Sequence, residues 1–469
     1  MIILPANTLS TGGFEVANSC RFDDGDSPSM SKTPGASSNR RTFTFSAWVK
    51  RSTLGSGVNV IFSASNSANR DFIYFEGDAL KVHKYNSGYE YKITTNRLFR
   101  DVSAWYHIVA AFDTTQGTAS NRIKLYVNGV QETSLADSDY PSEDFDTNYN
   151  TVSLPQTIGK DHDASNYFDG YIAEVVMIDG SALAPTSFGE FNSDSPTIWQ
   201  PIDVSGLTFG TNGYYLDFED SSNLGNDANG GTDFTEANLA ATDQATDTCT
   251  NNFAVMNSID NYYGAKTFSE GNLQQVDPSG NSFSSHTTIG VSSGKWYAEA
   301  KLTVQGSDQT FIGVSSNQST ATDFHLGKGA TSYGLYSSNG KIYNNSDSGT
   351  TYGDSYTVND ILGIYLDLDN NKLYFAKNGT IMNSGTGHSI TAPASTELGF
   401  YFFSGMQWDN SQGCTWQFNF GSPIFSISSA NADTNGYGSF EYDPSSGTFD
   451  SASKDFLALC TKNLGSDGG

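Results

Sequence analysis

Histidine, the side chain best suited to proton transfer near neutral pH, is rare and scattered in this sequence. None of the six histidines belongs to an HExxH motif or to another pair with the spacing of metal ligands. His107, inside the run WYHIV, is most simply a strand residue with a satisfied hydrogen bond. A phosphate-binding Walker loop is also missing. The sequence therefore predicts that this protein is not an enzyme.

Binding rather than catalysis is indicated by an aromatic residue in a polar loop. Trp408 lies in the segment GMQWDNSQG (405–413), so Trp408, Asp409 and Asn410 are candidate ligand contacts. Partial burial of Trp408 against the fold is the alternative. Four other tryptophans occur in strand-like runs, where we expect anchors between two sheets rather than sugar-stacking platforms: Trp48, Trp105, Trp296 and Trp416.

The overall charge and hydropathy exclude two classes of partner. Lys and Arg number 24 against 51 Asp and Glu, which gives a net charge of −27. Nucleic acid binding depends on an excess of cations that displaces counterions from phosphates, so nucleic acid is not an expected partner. No stretch approaches the roughly 20 apolar residues that a spanning helix needs, so membrane insertion is not expected either.

Two features bear on where the protein is made. The first residues, MIILPAN (1–7), have no basic region and only a short apolar run, which is not the pattern of a secretory signal peptide. The four cysteines lie far apart without a CxxC pair, so we expect buried, reduced thiols rather than disulfides or a zinc site. The sequence predicts synthesis in a cytoplasm, wherever the protein later works.

Short alternating runs of apolar and polar residues, bounded by Gly, Asn, Asp and Ser, predict β-strands along most of the chain. Examples are TFTFSAWV (42–49), IKLYV (123–127) and ILGIYL (361–366). Two Asn-Gly pairs, at 128–129 and 378–379, stand between such runs, and each favours a type I′ hairpin. The predicted fold class is all-β, with two tandem antiparallel β-sandwich (jelly-roll) domains and almost no helix.

A stretch rich in Asp, Asn, Gly, Ser and Thr separates the two halves and predicts a boundary near residues 230–255. We therefore expect an N-terminal arm at 1–19, a first sandwich at 20–230, a polar connector at 231–255 and a second sandwich with a C-terminal tail at 256–469. The apolar end of that tail, DFLALC (455–460), is expected to be a last strand of the second sandwich rather than a docking peptide.

Short sequence pieces occur in a characteristic order in each half. Those of the first half are FTFSAWVK (43–50), WYHIVAAF (105–112), KLYVNG (124–129), IGK (158–160) and FDGYIAEV (168–175). In this order they resemble a concanavalin A-like sandwich of the laminin-G and pentraxin type. Those of the second half are GKWYAE (294–299), FIGV (311–314), SYG (332–334), DILGIYLDLD (360–369), KLYFAKNG (372–379) and FNFG (418–421). They resemble a SPRY domain, a module that binds proteins through its loops.

The resemblance to laminin-G and pentraxin domains implies a calcium ion in a loop at one end of the first sandwich. Ca²⁺ takes about six to eight oxygen ligands, which the carboxylates and carbonyls of an acidic loop could supply. The candidate ligands are Asp23, Asp24, Asp26, Asp161 and Asp163. These loops lack the spacing Asp-x-Asp-x-Asp-Gly, and an acidic surface without an ion is the alternative. No other cofactor is expected.

Laminarinase-type enzymes share the concanavalin A-like sandwich and carry a Glu-x-Asp-x-x-Glu strand. The nearest match here is EGDALK (76–81), in which Lys81 stands where the last Glu belongs. The resemblance therefore extends to the sandwich and not to the catalytic carboxylates of these enzymes.

The whole tandem, which opens with ILPAN (3–7) and continues with ATDQ (241–244) and TNNF (250–253), resembles structural proteins of marine tailed bacteriophages. This resemblance implies a virion protein, such as a fibre, a knob, or a head or tail decoration, made in the host cytoplasm and exposed on the particle. We expect it to form a homo-oligomer and to bind other virion proteins, with host-surface polysaccharide as a further ligand. A secreted carbohydrate-binding or adhesion protein is the alternative, followed by a polysaccharide depolymerase.

Overall fold

The computed structural model describes residues 13–67, 69–163, 166–260, 266–278, 284–306, 309–317, 325–408, 412–450 and 454–467. Its regular structure is almost entirely β-strand, which confirms the predicted all-β class with two tandem sandwiches. The described chain divides into two compact units between Thr250 and Asn251. None of the helices in these ranges has the length and apolar character that crossing a membrane requires.

The first unit is built from short and medium strands joined by turns. In chain order they are β1 (Ser19–Phe22), β2 (Ser29–Lys32), β3 (Thr42–Arg51), β4 (Asn59–Asn66), β5 (Asn69–Glu76), β6 (Ala79–Asn86), β7 (Tyr89–Leu98), β8 (Trp105–Asp113), β9 (Ile123–Val127), β10 (Val130–Gln131), β11 (Leu135–Asp139), β12 (Gln156–Ile158), β13 (Gly170–Asp179), β14 (Gly189–Phe191), β15 (Trp199–Pro201), β16 (Tyr214–Leu216), β17 (Thr235–Ala237) and β18 (Gln244–Ala245). Short 3₁₀ turns lie at Asp24–Asp26, Ala119–Asn121, Pro185–Ser187 and Ala241–Asp243.

Two large antiparallel sheets of this unit face each other. Sheet 1 has the order β10-β9-β8-β3-β13-β1-β18, with β16 also paired to β13, and sheet 2 has the order β11-β7-β6-β5-β4-β12-β2-β17. Alternate residues of each strand point into the space between the sheets, as Phe43 and Phe45 of β3 and Ile73 and Phe75 of β5 do. The two-stranded sheet β14-β15 is separate from both.

The tryptophans predicted to anchor the two sheets are all buried, but two of them are not in the inter-sheet core. Trp296 and Trp416 lie in the core of the second unit, as expected. Trp48 and Trp105 instead join Trp199 in a cluster separate from the inter-sheet core. The prediction is wrong for Trp48 and Trp105 because their strand neighbours, rather than the indoles, occupy the inward-facing positions of β3 and β8.

Both Asn-Gly pairs form the predicted hairpins. At the β9–β10 turn Asn128 has φ 49° and Gly129 has φ 77°, and Val127 pairs with Val130. At the second turn Asn378 has φ 49° and Gly379 has φ 78°. Two successive positive φ angles define the type I′ turn, whose twist matches that of the flanking strands.

Most of the predicted polar connector belongs to the first unit. Within the range 231–255, Thr235–Ala237 pairs with β2 and Gln244–Ala245 pairs with β1, so the segment adds a strand to each large sheet. Its polar composition reflects short edge strands and turns rather than a linker. Of the predicted N-terminal arm (1–19), residues 1–12 lie outside the described residues. Val16 is buried in the same cluster as Trp48, so the described part of the arm packs onto the sandwich.

The second unit contains two further sheets and one α-helix. Its elements are β19 (Thr267–Ser269), β20 (Gln274–Asp277), β21 (Lys295–Gln305), β22 (Thr310–Ser315), β23 (Ser332–Tyr336), β24 (Lys341–Tyr343), β25 (Thr350–Thr351), β26 (Ile361–Asp367), β27 (Lys372–Lys377), β28 (Thr380–Ile381), β29 (His388–Ser389), β30 (Phe402–Gln407), β31 (Cys414–Asn419), β32 (Leu457–Ala458) and α1 (Thr461–Asp467). Short 3₁₀ turns lie at Met382–Gly385 and Pro393–Ser395. Sheet 3 has the order β19-β20-β31-β21-β26-β27-β28, with β29 on β27 and β32 on β21, and sheet 4 has the order β25-β24-β23-β22-β30.

The C-terminal tail is part of the second sandwich. β32 pairs in parallel with β21, which confirms the predicted last strand. The buried Glu299 of β21 accepts hydrogen bonds from the backbone N–H groups of Glu441 (3.1 Å) and Tyr442 (2.8 Å). Burial raises the pKa of the Glu299 carboxyl to about 6 in spite of these bonds. The tail is therefore held by both a strand pairing and a buried carboxyl group.

Candidate functional site

The outer face of sheet 2 carries a cluster of aromatic side chains across β5, β6 and β7. Phe72 and Tyr74 alternate along β5 with the core residues Ile73 and Phe75, and they form a cluster separate from the inter-sheet core. The rings of Phe72 and Tyr74 stack with centroids 4.2 Å apart, and the half-buried Tyr85 of β6 packs against them. We call this surface the aromatic face, and its members are Phe72, Tyr74, His83, Tyr85 and Tyr89.

Tyr89 is the most exposed aromatic side chain of this face. Its exposed fraction is 54%, although its ring contacts those of His83 (centroids 5.3 Å apart) and Tyr85 (5.4 Å). Tyr91, two residues further along β7, is 1% exposed and lies in the inter-sheet core. A shift in strand register between Lys84 and Tyr85 separates the two tyrosines, so Tyr89 lies on the outer face.

His83 holds the centre of the aromatic face together. Its Nδ1 is hydrogen-bonded to the Tyr74 hydroxyl at 2.8 Å, and its Nε2 to the Thr94 hydroxyl at 2.9 Å. Burial, followed by the nearby positive charges of Lys81 and Lys92, lowers the pKa of His83 to about 3. The imidazole is therefore neutral across the physiological range, and it acts as a fixed structural link between β5, β6 and β7.

The cations around the aromatic face are each paired with a carboxylate. Arg70 bonds to Asp161 (Nη1–Oδ2 3.0 Å) and to Asp163, Lys81 bonds to Glu76, and Lys92 bonds to Asp137 (Nζ–Oδ1 2.9 Å). These cations also lie over aromatic rings: Arg70 over Phe72 and Tyr85, Lys81 over Tyr74, and Lys92 over Tyr89. The ion pairs and cation–π contacts together fix the rim of the face.

Two of the predicted calcium ligands, Asp161 and Asp163, belong to this rim. Asp161 is 1% exposed and accepts hydrogen bonds from Arg70 and from the Asn166 side chain (Nδ2–Oδ2 3.1 Å), while Asp163 is exposed. Arg70 therefore already pairs with both carboxylates and offsets one of their two negative charges. A calcium ion here would have to displace that guanidinium or bind the same carboxylates beside it.

The other predicted ligands form a tighter acidic group. Asp23 and Asp24 each place a carboxylate oxygen within 4.8 Å of the other and of the buried Asp169, while Asp26 is exposed in the same 3₁₀ turn. Burial and the charge of Asp23 raise the pKa of Asp24. Asp169 also accepts a hydrogen bond from the Thr53 hydroxyl. The cluster offers three carboxylates to a cation, and its calcium assignment remains a prediction.

A polar cleft of about 630 Å³ lies at the opposite edge of sheet 2 from the aromatic face, beside β2 and β17. Its walls are mostly Gly, Ser, Thr and Asn. Several of its polar side chains are engaged within the chain: Lys32 bonds to Asp227 (3.1 Å), and Asn212 donates to the Ala36 carbonyl (3.0 Å). The cleft has no aromatic lining, in contrast to the aromatic face.

In the second unit, Trp408 follows β30 directly and is half-buried. Its ring centroid lies 4.4 Å from that of the fully buried His325 and 6.0 Å from that of Phe311. The structure thus shows partial burial on the outer side of sheet 4, with part of the indole exposed. Asp409 and Asn410, the other two predicted ligand contacts, lie outside the described residues. A role of Trp408 in ligand binding stays a prediction.

Comparison with known families agrees with the order of the two sandwiches. Residues 24–186 match the laminin-G family model of the concanavalin A-like lectin/glucanases superfamily, and residues 295–423 match the SPRY domain model. The chain contains a concanavalin A-like domain followed by a SPRY domain. The match to the concanavalin A-like model includes β5, β6 and β7, and hence the whole aromatic face.

Each of the individual relatives matches only part of this chain. A dual specificity protein kinase, splA, of Dictyostelium discoideum is 30% identical over 133 residues, which are 28% of this chain and 5% of the kinase. The chain thus spans a small part of that relative's length. The SPRY domain of human HERC1 is 18% identical over 31% of this chain and 87% of that one, with a TM-score of 0.23. A heptameric pentraxin of Limulus polyphemus is 15% identical over 37% and 80%, with a TM-score of 0.27.

The aromatic face of the concanavalin A-like domain was not found from the sequence. One signal was available, because YFEG (74–77), KVHKYN (81–86) and YEYK (89–92) concentrate aromatic residues and cations in an otherwise acidic chain. The alternation of β7, however, predicts that Tyr89 and Tyr91 share a face. Only the strand pairing shows that they do not.

Another buried ionisable group of the concanavalin A-like domain is Glu174, at an irregularity of β13. Its φ is 51°, in the left-handed region, and the pairing of β13 with β3 shifts register between Ala173 and Val176. The carboxyl accepts a hydrogen bond from the Tyr215 hydroxyl at 2.7 Å and is 6% exposed. Burial raises the pKa of Glu174 to about 8.

Glu174 is expected to make the stability of the concanavalin A-like domain fall as the pH rises. Its pKa is about 8 in the folded state against 4.5 for the ordinary carboxyl, so the folded state binds an extra proton between these values. This contribution to stability is complete below pH 4.5 and is lost at about 1.4 kcal/mol per pH unit up to about pH 8. In urea unfolding at pH 5, 6, 7 and 8, the Glu174→Gln variant should gain stability relative to the parent with each step. A difference between the two proteins that is constant with pH would contradict the assignment.

Proposed function

We propose that this chain is a structural protein of a bacteriophage particle, such as a fibre, a knob, or a head or tail decoration. In this proposal it is made in the host cytoplasm and displayed on the particle surface, where its concanavalin A-like domain binds host-surface polysaccharide. It carries out no catalysis, and it assembles as a homo-oligomer with other virion proteins. Support for the virion setting comes from the resemblance of the whole tandem to structural proteins of tailed bacteriophages.

The observation that carries the binding function is the exposed tyrosine on the aromatic face. Tyr89 is 54% exposed, while Phe72, Tyr74 and His83 of the same face are buried, and His83 is hydrogen-bonded to the hydroxyls of Tyr74 and Thr94. A rigid aromatic ring with a polar hydroxyl suits an interface that is apolar on one side and wet on the other. Such a ring on a preformed sheet binds a ligand with little loss of conformational freedom.

The SPRY domain supplies a second recognition surface in this proposal. Trp408 lies half-exposed beside the buried His325, whose Nε2 is hydrogen-bonded to Asp347 (3.2 Å), and Asp347 forms an ion pair with Lys328 (Nζ–Oδ1 2.6 Å). Tryptophan with a charged rim is common at the centre of protein interfaces. This surface is the candidate contact with other virion proteins.

Two measurements test the proposed function. Mass spectrometry of purified particles from the producing host should identify the chain as a virion component, and a glycan array with the intact protein should show binding without cleavage. Absence from particles would defeat the virion assignment and favour a secreted adhesion protein. Release of shorter oligosaccharides from a bound polysaccharide would favour a depolymerase instead.

A further inference from the structure

We propose that the aromatic face binds an uncharged polysaccharide, whose sugar rings stack on Tyr89 and Tyr85. This inference rests on the proposed glycan-binding function and names the class of polysaccharide that the aromatic face binds.

The charge balance argues against an anionic ligand. Arg70, Lys81 and Lys92 could attract sulfate or uronate groups, but each is bonded to a carboxylate of the chain itself. Arg70 is shared between two carboxylates, Asp161 and Asp163. An anionic sugar would have to break these ion pairs and approach the carboxylates, in a protein whose net charge is −27. A neutral sugar can bind without breaking these ion pairs and is not repelled by the carboxylates.

The small apolar area that remains exposed on this face argues against a protein partner. Phe72 is 6% exposed and Tyr74 is 2% exposed, so the apolar area that remains open on this face comes mainly from Tyr89 and the half-buried Tyr85. A stable protein interface buries about 800 Å² on each partner around an apolar centre, which two tyrosines do not provide. A sugar ring needs one aromatic ring for its C–H face, because those hydrogens carry partial positive charge and the ring face is negative.

Tyr89 is held in place by groups that do not themselves need to touch a ligand. The His83 ring lies against it on one side, the Tyr85 ring on another, and the Lys92 ammonium lies 5.2 Å from its centroid. His83 in turn is fixed by hydrogen bonds to the hydroxyls of Tyr74 and Thr94. This support keeps the exposed ring in one orientation, which is the condition for stacking without a large ordering cost.

The test compares variants of the full chain with neutral and anionic polysaccharides. Laminarin and mannan serve as neutral probes and alginate as the anionic probe, in affinity gel electrophoresis at 50 mM and 500 mM NaCl. We expect at least one neutral probe to bind with little dependence on salt. Tyr89→Ala should weaken that binding about tenfold, which corresponds to 1.4 kcal/mol, while Tyr89→Phe should keep most of it.

Phe191→Ala is the matched control, because Phe191 is an aromatic residue of similar exposure (44%) outside the aromatic face. It should leave binding unchanged, and thermal melting should show that every variant is folded. Three results would overturn the inference: alginate binding that disappears at high salt, equal binding by Tyr89→Ala and the parent, or capture of a protein rather than a polysaccharide at this face. The proposed function itself fails separately, if the chain is absent from particles and binds no glycan on the array.

Discussion

Replacing Lys84 with methionine is expected to lower the free energy of unfolding of the concanavalin A-like domain by about 3–5 kcal/mol. Lys84 is 3% exposed, and its ammonium bonds to Asp71 (2.9 Å) and to the side-chain oxygens of Asn69 (2.9 Å) and Asn148 (2.8 Å). Asp71 is fully buried, and burial already raises the pKa of its carboxyl. Methionine would fill the volume but leave the Asp71 carboxylate without its cation in a medium of low dielectric.

The expected loss corresponds to a fall in melting temperature of roughly 6–20 °C for a domain of this size. Two variants isolate the cause. Arg41→Met breaks ion pairs with Asp144 and Asp146 that are largely exposed, so its melting temperature should stay close to that of the parent. The double variant Asp71→Asn/Lys84→Met should recover part of the loss, because it removes the buried charge. Equal melting temperatures for Lys84→Met and Arg41→Met would contradict this account.

Asp247→Ala should destabilise the same domain by a similar amount, about 3–5 kcal/mol, although the residue lies in the range that the sequence assigns to a connector. The Asp247 carboxylate is 0% exposed, and it lies 2.6 Å from Lys50 Nζ and 3.1 Å from Trp105 Nε1. Its backbone carbonyl also accepts a hydrogen bond from the Ser19 hydroxyl at 2.6 Å. Alanine would remove the carboxylate that balances the buried Lys50 and that bonds the indole of Trp105.

Chemical denaturation of the full chain, followed by tryptophan fluorescence, measures this effect. Asp194→Ala is the control, since Asp194 is an exposed carboxylate in the same domain, and its loss should change the stability by about 0.5 kcal/mol or less. If residues 231–250 were a passive linker, Asp247→Ala and Asp194→Ala would unfold at the same denaturant concentration. The structure places β17 and β18 in the two large sheets, so we expect them to differ.

The sequence was sufficient for the elements of the fold that depend on local chemistry. Alternating runs define long strands such as β3, β8 and β26, and the two Asn-Gly pairs define their hairpins, because positive φ angles are local preferences of these residues. The apolar run before Cys460 similarly predicts β32. The edge strands β17 and β18 escaped prediction, since strands of two or three residues are too short to show an alternating pattern.

The candidate site, in contrast, could not be predicted from local sequence chemistry. Trp48 and Trp105 are as apolar as Trp296 and Trp416, and sequence alone does not tell on which side of a sheet a buried indole lies. Asp23, Asp24 and Asp169 meet only because β1 pairs with β13, and Arg70 reaches Asp161 and Asp163 from another strand. These groupings depend on contacts between distant parts of the chain.

By itself, the sequence determined that this protein is an acidic, all-β chain of two sandwiches. That its residues serve binding rather than catalysis stays a prediction. The tertiary structure decided which aromatic side chains of the first unit stay exposed. A one-residue change of register moves every following side chain to the other face of a strand, and such a shift beside Tyr85 separates the exposed Tyr89 from the buried Tyr91. Register is set by the pairing of whole strands and not by the residue concerned, and for that reason the aromatic face became visible only in the folded molecule.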